Sequence, residues 1–227
     1  MGEKVTFPSN GSTAHGYLAL PESGSGPGLI VIQEWWGLVD HIVDLTDRFA
    51  AAGFVALAPD LYGGKTTHDA QTAGMYLQEL PVDQAARDLG GAVDYLLGRA
   101  EVTSSSVGAV GFCMGGGFVL LLAKNQGERV SAAVSCYPAN TGMLGDLTGI
   151  SAKVQLNLAG KDDFFPVEAG QELASTLSGS GTDVTTHIYA EDGHAFLNEE
   201  NLLGTYDKDA AELLWKRMVD FLTTTVA

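Results

Sequence analysis

One segment restricts the folds open to this chain more than any other: Ser106-Val-Gly-Ala-Val-Gly-Phe-Cys-Met-Gly-Gly-Gly117, which runs on into the apolar stretch Phe118–Ala123. It has the pattern of a buried strand, a G-x-C-x-G turn and a helix, in that order. A strand that turns straight into a helix has no room for side chains two residues to either side of its tip, and Gly111 and Gly115 occupy those two positions. The tip residue, Cys113, is then expected in a strained backbone conformation with its side chain clear of the sheet. A helix beginning near Met114 would direct free N–H groups and the positive end of its dipole toward that thiol, which favours the thiolate. The competing reading is a small buried hydrophobe in a glycine-rich turn. The arrival of strand, motif and apolar helix together favours the elbow.

The rest of the chain is consistent with such a turn. Strand-like runs occur at Lys4–Phe7, Gly16–Leu20, Gly28–Ile32, Phe54–Ala58, Val107–Phe112, Val130–Cys136, Lys153–Leu158 and Val184–Tyr189. Helical stretches separate the later ones, most clearly Val82–Leu97, opened by Pro81, and Asp207–Leu222, whose first turns are acidic in keeping with the helix dipole. Strands alternating with helices point to a mostly parallel twisted sheet with helices on both faces, and with the elbow this is the α/β-hydrolase fold. With 45% hydrophobic residues in 227, no internal repeat and no long linker, residues 1–227 read as a single domain. The Gly63–Tyr76 stretch reads as a mobile lip over the carboxyl edge of the sheet.

A nucleophile on an elbow needs a base and a group to orient it, and in this architecture they follow in the order acid, then histidine. Leu156-Asn-Leu-Ala-Gly-Lys-Asp162 places an acid just past a strand, at the edge where open α/β sheets build their sites. Asp163 competes for that role, and its spacing from Gly160 and Pro166 fits the turn less well than that of Asp162. Tyr189-Ala-Glu-Asp-Gly-His194 supplies a histidine in the same way. His194 would take the thiol proton and return it to the leaving group, while Asp162 fixes the tautomer and stabilises the imidazolium. None of His15, His41, His68 and His187 follows a late strand and a glycine, so these read as surface residues.

Five motifs spread over nearly the whole length carry a family resemblance: Gln33-Glu-Trp-Trp-Gly37, Ala58-Pro-Asp-Leu-Tyr62, Gly111-Phe-Cys-Met-Gly-Gly116, Gly160-Lys-Asp-Asp-Phe-Phe-Pro166 and Gly193-His-Ala-Phe196. With them the chain resembles the dienelactone hydrolases, the cysteine branch of the α/β-hydrolases. The resemblance implies a triad of Cys113, Asp162 and His194. It also implies that Glu34 is a buried glutamate that interacts with the thiol and helps deprotonate it when substrate arrives. The backbone N–H groups of Met114 and Trp35 would form the oxyanion hole. One departure concerns substrate, because the two arginines with which dienelactone hydrolases hold a substrate carboxylate have no counterpart here. Asn198 stands where one is expected, and Lys65 is the only cation between Tyr62 and Leu80. Without a bidentate cationic partner for a carboxylate, the expected substrate is a neutral or weakly polar ester, lactone or thioester. Trp35, Trp36, Tyr62, Phe164 and Phe196 would form apolar walls around it, with Asn198 among the substrate-binding residues.

Other function classes fit less well. The 28 acidic residues against 12 basic ones give a net charge of −16, which repels nucleic acid and anionic lipid, so neither is an expected partner. The longest apolar runs are too short to span a bilayer. Two cysteines, and an opening Met1–Ser12 segment without an apolar stretch, point to a reducing cytoplasm. The monomer is the default oligomeric state. Gly64-Lys-Thr66 resembles the end of a phosphate loop, but Pro59 stands where that motif needs its first glycine. No histidine or cysteine pair has metal-ligand spacing and no dinucleotide fingerprint follows a strand, so no metal and no cofactor are expected. Two non-hydrolytic readings remain: an inactive binding protein on a hydrolase fold, and a thiol redox protein with Cys136 as the only available partner of Cys113.

Overall fold

A computed structural model describes residues 2–9, 11–139 and 141–226. The chain opens with a hairpin, β1 (Glu3–Ser9) and β2 (Ser12–Ala19), followed by β3 (Gly26–Ile32), α1 (Asp40–Ala51) and β4 (Val55–Pro59). Two consecutive helices, α2 (Ala70–Glu79) and α3 (Val82–Leu97), lead into the long strand β5 (Val102–Phe112) and α4 (Met114–Gln126). Then come β6 (Val130–Cys136), β7 (Lys153–Ala159), α5 (Val167–Gly179), β8 (Val184–Tyr189) and α6 (Lys208–Thr225).

The strands form one eight-stranded sheet in the order β1-β2-β4-β3-β5-β6-β7-β8. The β1–β2 and β2–β4 pairings are antiparallel and all pairings from β4 to β8 are parallel. This is the mostly parallel, helix-covered sheet that the alternating pattern leads one to expect. The central strands are buried over most of their length, Leu29–Ile32, Val107–Phe112 and Ala132–Cys136 among them, as strands covered on both faces must be. On one face α1 and α6 pack together through Phe49 and Trp215, ring centroids 4.6 Å apart, with Arg48 over the same indole. The α6 residues Leu214, Met218 and Leu222 reach the sheet. Helices α3 and α4 pack on the other face, where α4 is apolar all round and buried from Met114 to Ala123.

Two local expectations are corrected. The lip is unstructured loop only as far as Asp69, whose carboxylate accepts a hydrogen bond from Thr72 N at 2.8 Å and caps α2. Gly74 and Thr72 within that helix weaken its sequence pattern. His41 is not a surface residue: it is buried in α1, and burial together with the charge of Arg48 pushes its pKa down to about 4.

Candidate active site

Six loops leave the carboxyl ends of parallel strands at one edge of the sheet, and the candidate residues come from five of them. Cys113 stands between β5 and α4 with φ 54° and ψ −117°, in a region that only glycine enters freely. The surrounding glycines show what this turn requires. A Cβ on Gly111 would lie 2.0 Å from Gly115 O, and one on Gly115 would lie 2.4 Å from Ile32 O. Backbone hydrogen bonds hold the turn, since Cys113 O accepts from Gly116 N at 2.9 Å and from Ala139 N at 3.0 Å, while Cys113 N donates to Cys136 O at the end of β6 at 3.1 Å. Among the described residues four non-glycine residues have positive φ, Cys113, Tyr137, Ala195 and Asn201, and the first three lie in or beside this cluster.

The loop after β8 brings in His194, 3% exposed, and the loop after β7 brings in Asp162. His194 Nδ1 donates to Asp162 Oδ2 at 2.8 Å. The other oxygen, Asp162 Oδ1, accepts from Phe164 N at 2.8 Å and Phe165 N at 2.9 Å, so the carboxylate is fixed by the turn that carries it. Asp163 is exposed and takes no part in this network. On the far side of the ring, His194 Nε2 is buried and has no well-formed hydrogen bond among the described residues. Burial opposes a charged imidazole here. The negative charge available on the Cys113 sulfur, with the hydrogen bond and charge of Asp162, outweighs burial and pushes the His194 pKa up to about 10.

Glu34, in the turn after β3, is 1% exposed. Burial, only partly offset by the Asn198 hydrogen bond and the nearby His194, pushes its pKa up to about 7. Its partner in this structure is not the thiol, because Glu34 Oε2 accepts from Asn198 Nδ2 at 2.6 Å and Oε1 has no partner among the described residues. Asn198 is itself 3% exposed, and its Oδ1 accepts from Glu200 N at 2.9 Å. Its polar atoms are thus spent on the protein interior, which corrects its expected place among substrate contacts. Phe196 is likewise 0% exposed, packed against Tyr137 and Tyr189 behind His194, and Trp36 is 2% exposed beneath Trp35. They support the site from behind.

The side chains that do reach the site surface are Trp35 and Phe164, with Tyr62 deeper. Phe164 is 53% exposed, stands 4.8 Å from the His194 ring and meets Trp35 edge-on at 5.9 Å. Tyr62 OH donates to Met114 Sδ at 3.3 Å and the Tyr62 ring packs on Tyr76 of α2. The backbone N–H groups of Trp35 and Met114 have no protein acceptor among the described residues. Lys65, the sole cation in the lip, lies over Tyr76 and reaches Glu79 at 3.5 Å.

The sequence reading missed Tyr137. Its side chain is 0% exposed, its φ is 35°, its ring meets His194 edge-on at 5.3 Å, and its hydroxyl has no well-formed partner among the described residues. The charge of Glu34 is among the influences that, with burial, raise its pKa. The one signal is its place immediately after strand Val130–Cys136, at the edge that also carries Asp162 and His194. Cys136 points elsewhere: its sulfur is buried, 3.4 Å from Met218 Sδ on the α6 side of the sheet, and burial pushes its thiol pKa up. Both cysteines are free.

A strained residue on a strand–helix elbow, beneath a buried histidine, in this strand order, defines a hydrolase of the α/β-hydrolase class. The chain belongs to the dienelactone hydrolase family, whose model matches residues 14–226. Among its relatives, "Protein usf" of Aquifex pyrophilus is 34% identical, over 97% of each chain. A protein of Aquifex aeolicus named "Putative carboxymethylenebutenolidase" is 32% identical over 99% of each. Among solved structures, a dienelactone hydrolase-like promiscuous phosphotriesterase from metagenomic libraries superposes with a TM-score of 0.86. It is 26% identical, and the match covers 100% of this chain and 99% of that one. Among the described residues no helix is long and apolar enough to cross a membrane.

Proposed function

We propose that the protein hydrolyses small, neutral carboxylic esters or lactones, through Cys113, His194 and Asp162 and a thiolester intermediate. The observation that carries this reading is His194, bound to Asp162 through Nδ1 at 2.8 Å, with a buried Nε2 that makes no well-formed hydrogen bond among the described residues and a ring near enough to Cys113 for the sulfur's charge to raise its pKa. In the proposed cycle His194 holds the thiol proton, and the Cys113 sulfur attacks the carbonyl carbon. The N–H groups of Met114 and Trp35 receive the developing oxyanion. His194 then protonates the leaving alkoxide, so that an alcohol departs, or in a lactone the ring opens. Finally water, deprotonated by His194, attacks the thiolester, releasing the acid and restoring the thiol. Asp162 keeps Nδ1 protonated throughout.

Support for a neutral substrate is the make-up of the mouth. Trp35 and Phe164 flank His194, Asn198 is committed to Glu34, and Lys65 is committed to Glu79 and Tyr76. The test compares kcat/KM for a neutral aryl ester and for a lactone bearing a free carboxylate, with Cys113→Ala as the blank. The neutral substrate is expected to be preferred by at least tenfold, about 1.4 kcal/mol in the transition state. A strong preference for the anion contradicts the substrate assignment. A burst of product equal to the enzyme present separates this reading from an inert binding protein, and peroxide turnover exceeding ester turnover would favour the redox alternative instead.

A further inference from the structure

Packing alone does not account for a tyrosine at position 137. Its backbone is placed by the turn that carries the thiol: Cys136 O accepts from Cys113 N at 3.1 Å, Ala139 N donates to Cys113 O at 3.0 Å, and between them Tyr137 N donates to Asn157 O of β7 at 2.7 Å. A Cβ on Gly116 of α4 would lie 2.7 Å from Cys136 O, so this loop and the elbow are in direct contact. Together these contacts fix a φ of 35° on a residue that is not glycine. The ring packs edge-on against His194 at 5.3 Å and against Phe196 at 5.5 Å. A phenylalanine would fill the same space. It would not bury a hydroxyl at 0% exposure without a well-formed partner among the described residues, which is a cost the tyrosine carries.

Glu34 Oε1 is the complementary atom, buried and equally without a well-formed partner among the described residues. The two groups lie close enough to act on each other as hydrogen-bond partners. The Tyr137 hydroxyl counters part of the rise that burial imposes on the Glu34 pKa, and Glu34 adds to the rise at Tyr137. Burial, with the charges of Glu34, Cys136 and Cys113, keeps Tyr137 protonated far above neutrality, so the phenol is the donor and the carboxylate the acceptor. The other groups facing Glu34 are Asn198, Glu200 and His194 of the loop after β8, and the Cys136 thiol at the end of β6. Asn198 and His194 favour the carboxylate, Glu200 opposes it, and burial keeps the Cys136 thiol neutral. The cycle above needs the thiol proton to sit on His194, and a carboxylate near the ring favours that charge. Resting on the hydrolase reading above, we propose that Tyr137 is a positioning residue for the reaction: its hydroxyl donates to Glu34 Oε1 and, with Asn198 on Oε2, holds Glu34 as a carboxylate near His194.

The experiment uses Tyr137→Phe in the full-length protein, which keeps the ring and removes only the hydroxyl, and it has two readouts. One is the titration of the Glu34 carboxyl, followed by NMR with carboxyl-labelled glutamate and assigned by its absence in Glu34→Gln. The other is the pH profile of kcat/KM for p-nitrophenyl acetate, which reports the ionisations of the free enzyme. In the wild type the carboxyl is expected to titrate near 7, with kcat/KM rising through the same pH. In Tyr137→Phe both are expected to move upward by about one pH unit, the effect of losing one hydrogen bond to a charged group. At pH 7 that lowers kcat/KM about fivefold, while the high-pH plateau stays within about twofold of wild type. In a Glu34→Gln background, adding Tyr137→Phe is expected to change kcat/KM by less than about twofold, because the group it acts on is gone. A Glu34 titration unmoved in Tyr137→Phe, a loss of activity equal at every pH, or an undiminished effect in Glu34→Gln overturns the positioning role while leaving hydrolysis itself standing. A Tyr137→Phe variant that is unfolded by circular dichroism also overturns it, since the hydroxyl would then be holding the fold. Absence of turnover on every ester and on simple lactones, with the carboxyl titration still displaced, overturns the hydrolase reading and the role in it, and leaves only the contact.

Discussion

Asn198 donates to Glu34 at 2.6 Å, and both side chains are buried, at 3% and 1% exposure. A carboxyl in such a position keeps its proton longer than one in water, because a single neutral amide only partly replaces the solvent it has lost. The pairing therefore ties the proton on Glu34 to the stability of the fold.

The folded Glu34 pKa, about 7, lies above the ordinary carboxyl value of 4.5. A raised value means that its contribution is fully present below about 4.5 and is lost as the pH rises through about 7. Glu34→Gln removes this titration while leaving an oxygen for Asn198. In urea unfolding, the variant and the wild type are expected to be of similar stability at low pH. The variant should then become the more stable of the two above neutrality, by up to about 3 kcal/mol. A difference that does not change with pH contradicts the buried-proton account.

His194 titrates in the same direction, although here burial opposes the shift and neighbouring charges produce it. Its folded pKa is about 10, above the ordinary 6.5, so the charged ring stabilises the fold below about 6.5, and that contribution is lost as the pH climbs through about 10. The negative charge at Cys113 is the largest of the influences that raise it. Cys113→Ala removes that charge and keeps the burial, so the ring titration followed by NMR is expected to move to a lower midpoint. A midpoint that stays put in Cys113→Ala shows that the two side chains do not share a proton.

The elbow makes a steric prediction. A methyl on Gly115 meets the carbonyl oxygens of Ile32 at 2.4 Å and Gln33 at 2.6 Å, both backbone atoms of β3 and the turn after it. Gly115→Ala is expected to cost about 3 kcal/mol or more, toward the upper end for overpacking, and to displace the Glu34–Trp35 turn. By contrast Gly179, at the end of α5, has open space around it, and Gly179→Ala is expected to stay within about 0.5 kcal/mol of wild type. Thermal unfolding of the two variants checks both expectations.

These relationships were unevenly legible in the sequence. The sheet could be read because each buried strand is a short apolar run, and the elbow because a G-x-C-x-G between strand and helix has few other uses. Asp162 and His194 were legible because each follows a strand end by a short turn. The roles of Asn198, Phe196 and Trp36 were not, since a residue's neighbours on other loops decide whether it faces substrate or supports what does. Asn198 and Glu34 are far apart in the chain and meet only because β3 and the loop after β8 end at the same edge. Tyr137 was hidden for a similar reason: no motif marks it, and its importance lies in a φ of 35° and in contacts with two rings, His194 and Phe196, of the loop after β8. Helix α2 was obscured by weak periodicity in a segment that packs through Tyr76 on Tyr62.

The central claim is that a sulfur at the elbow becomes acylated, and mass spectrometry of a reaction with a p-nitrophenyl ester, quenched in acid within one turnover, tests it most directly. The account predicts an added acyl mass on the peptide containing Cys113, absent in Cys113→Ala and accumulating when His194 is replaced by a residue that still permits the first attack but cannot activate water. An acyl group found on another residue, or steady hydrolysis by Cys113→Ala with no adduct anywhere, would contradict it.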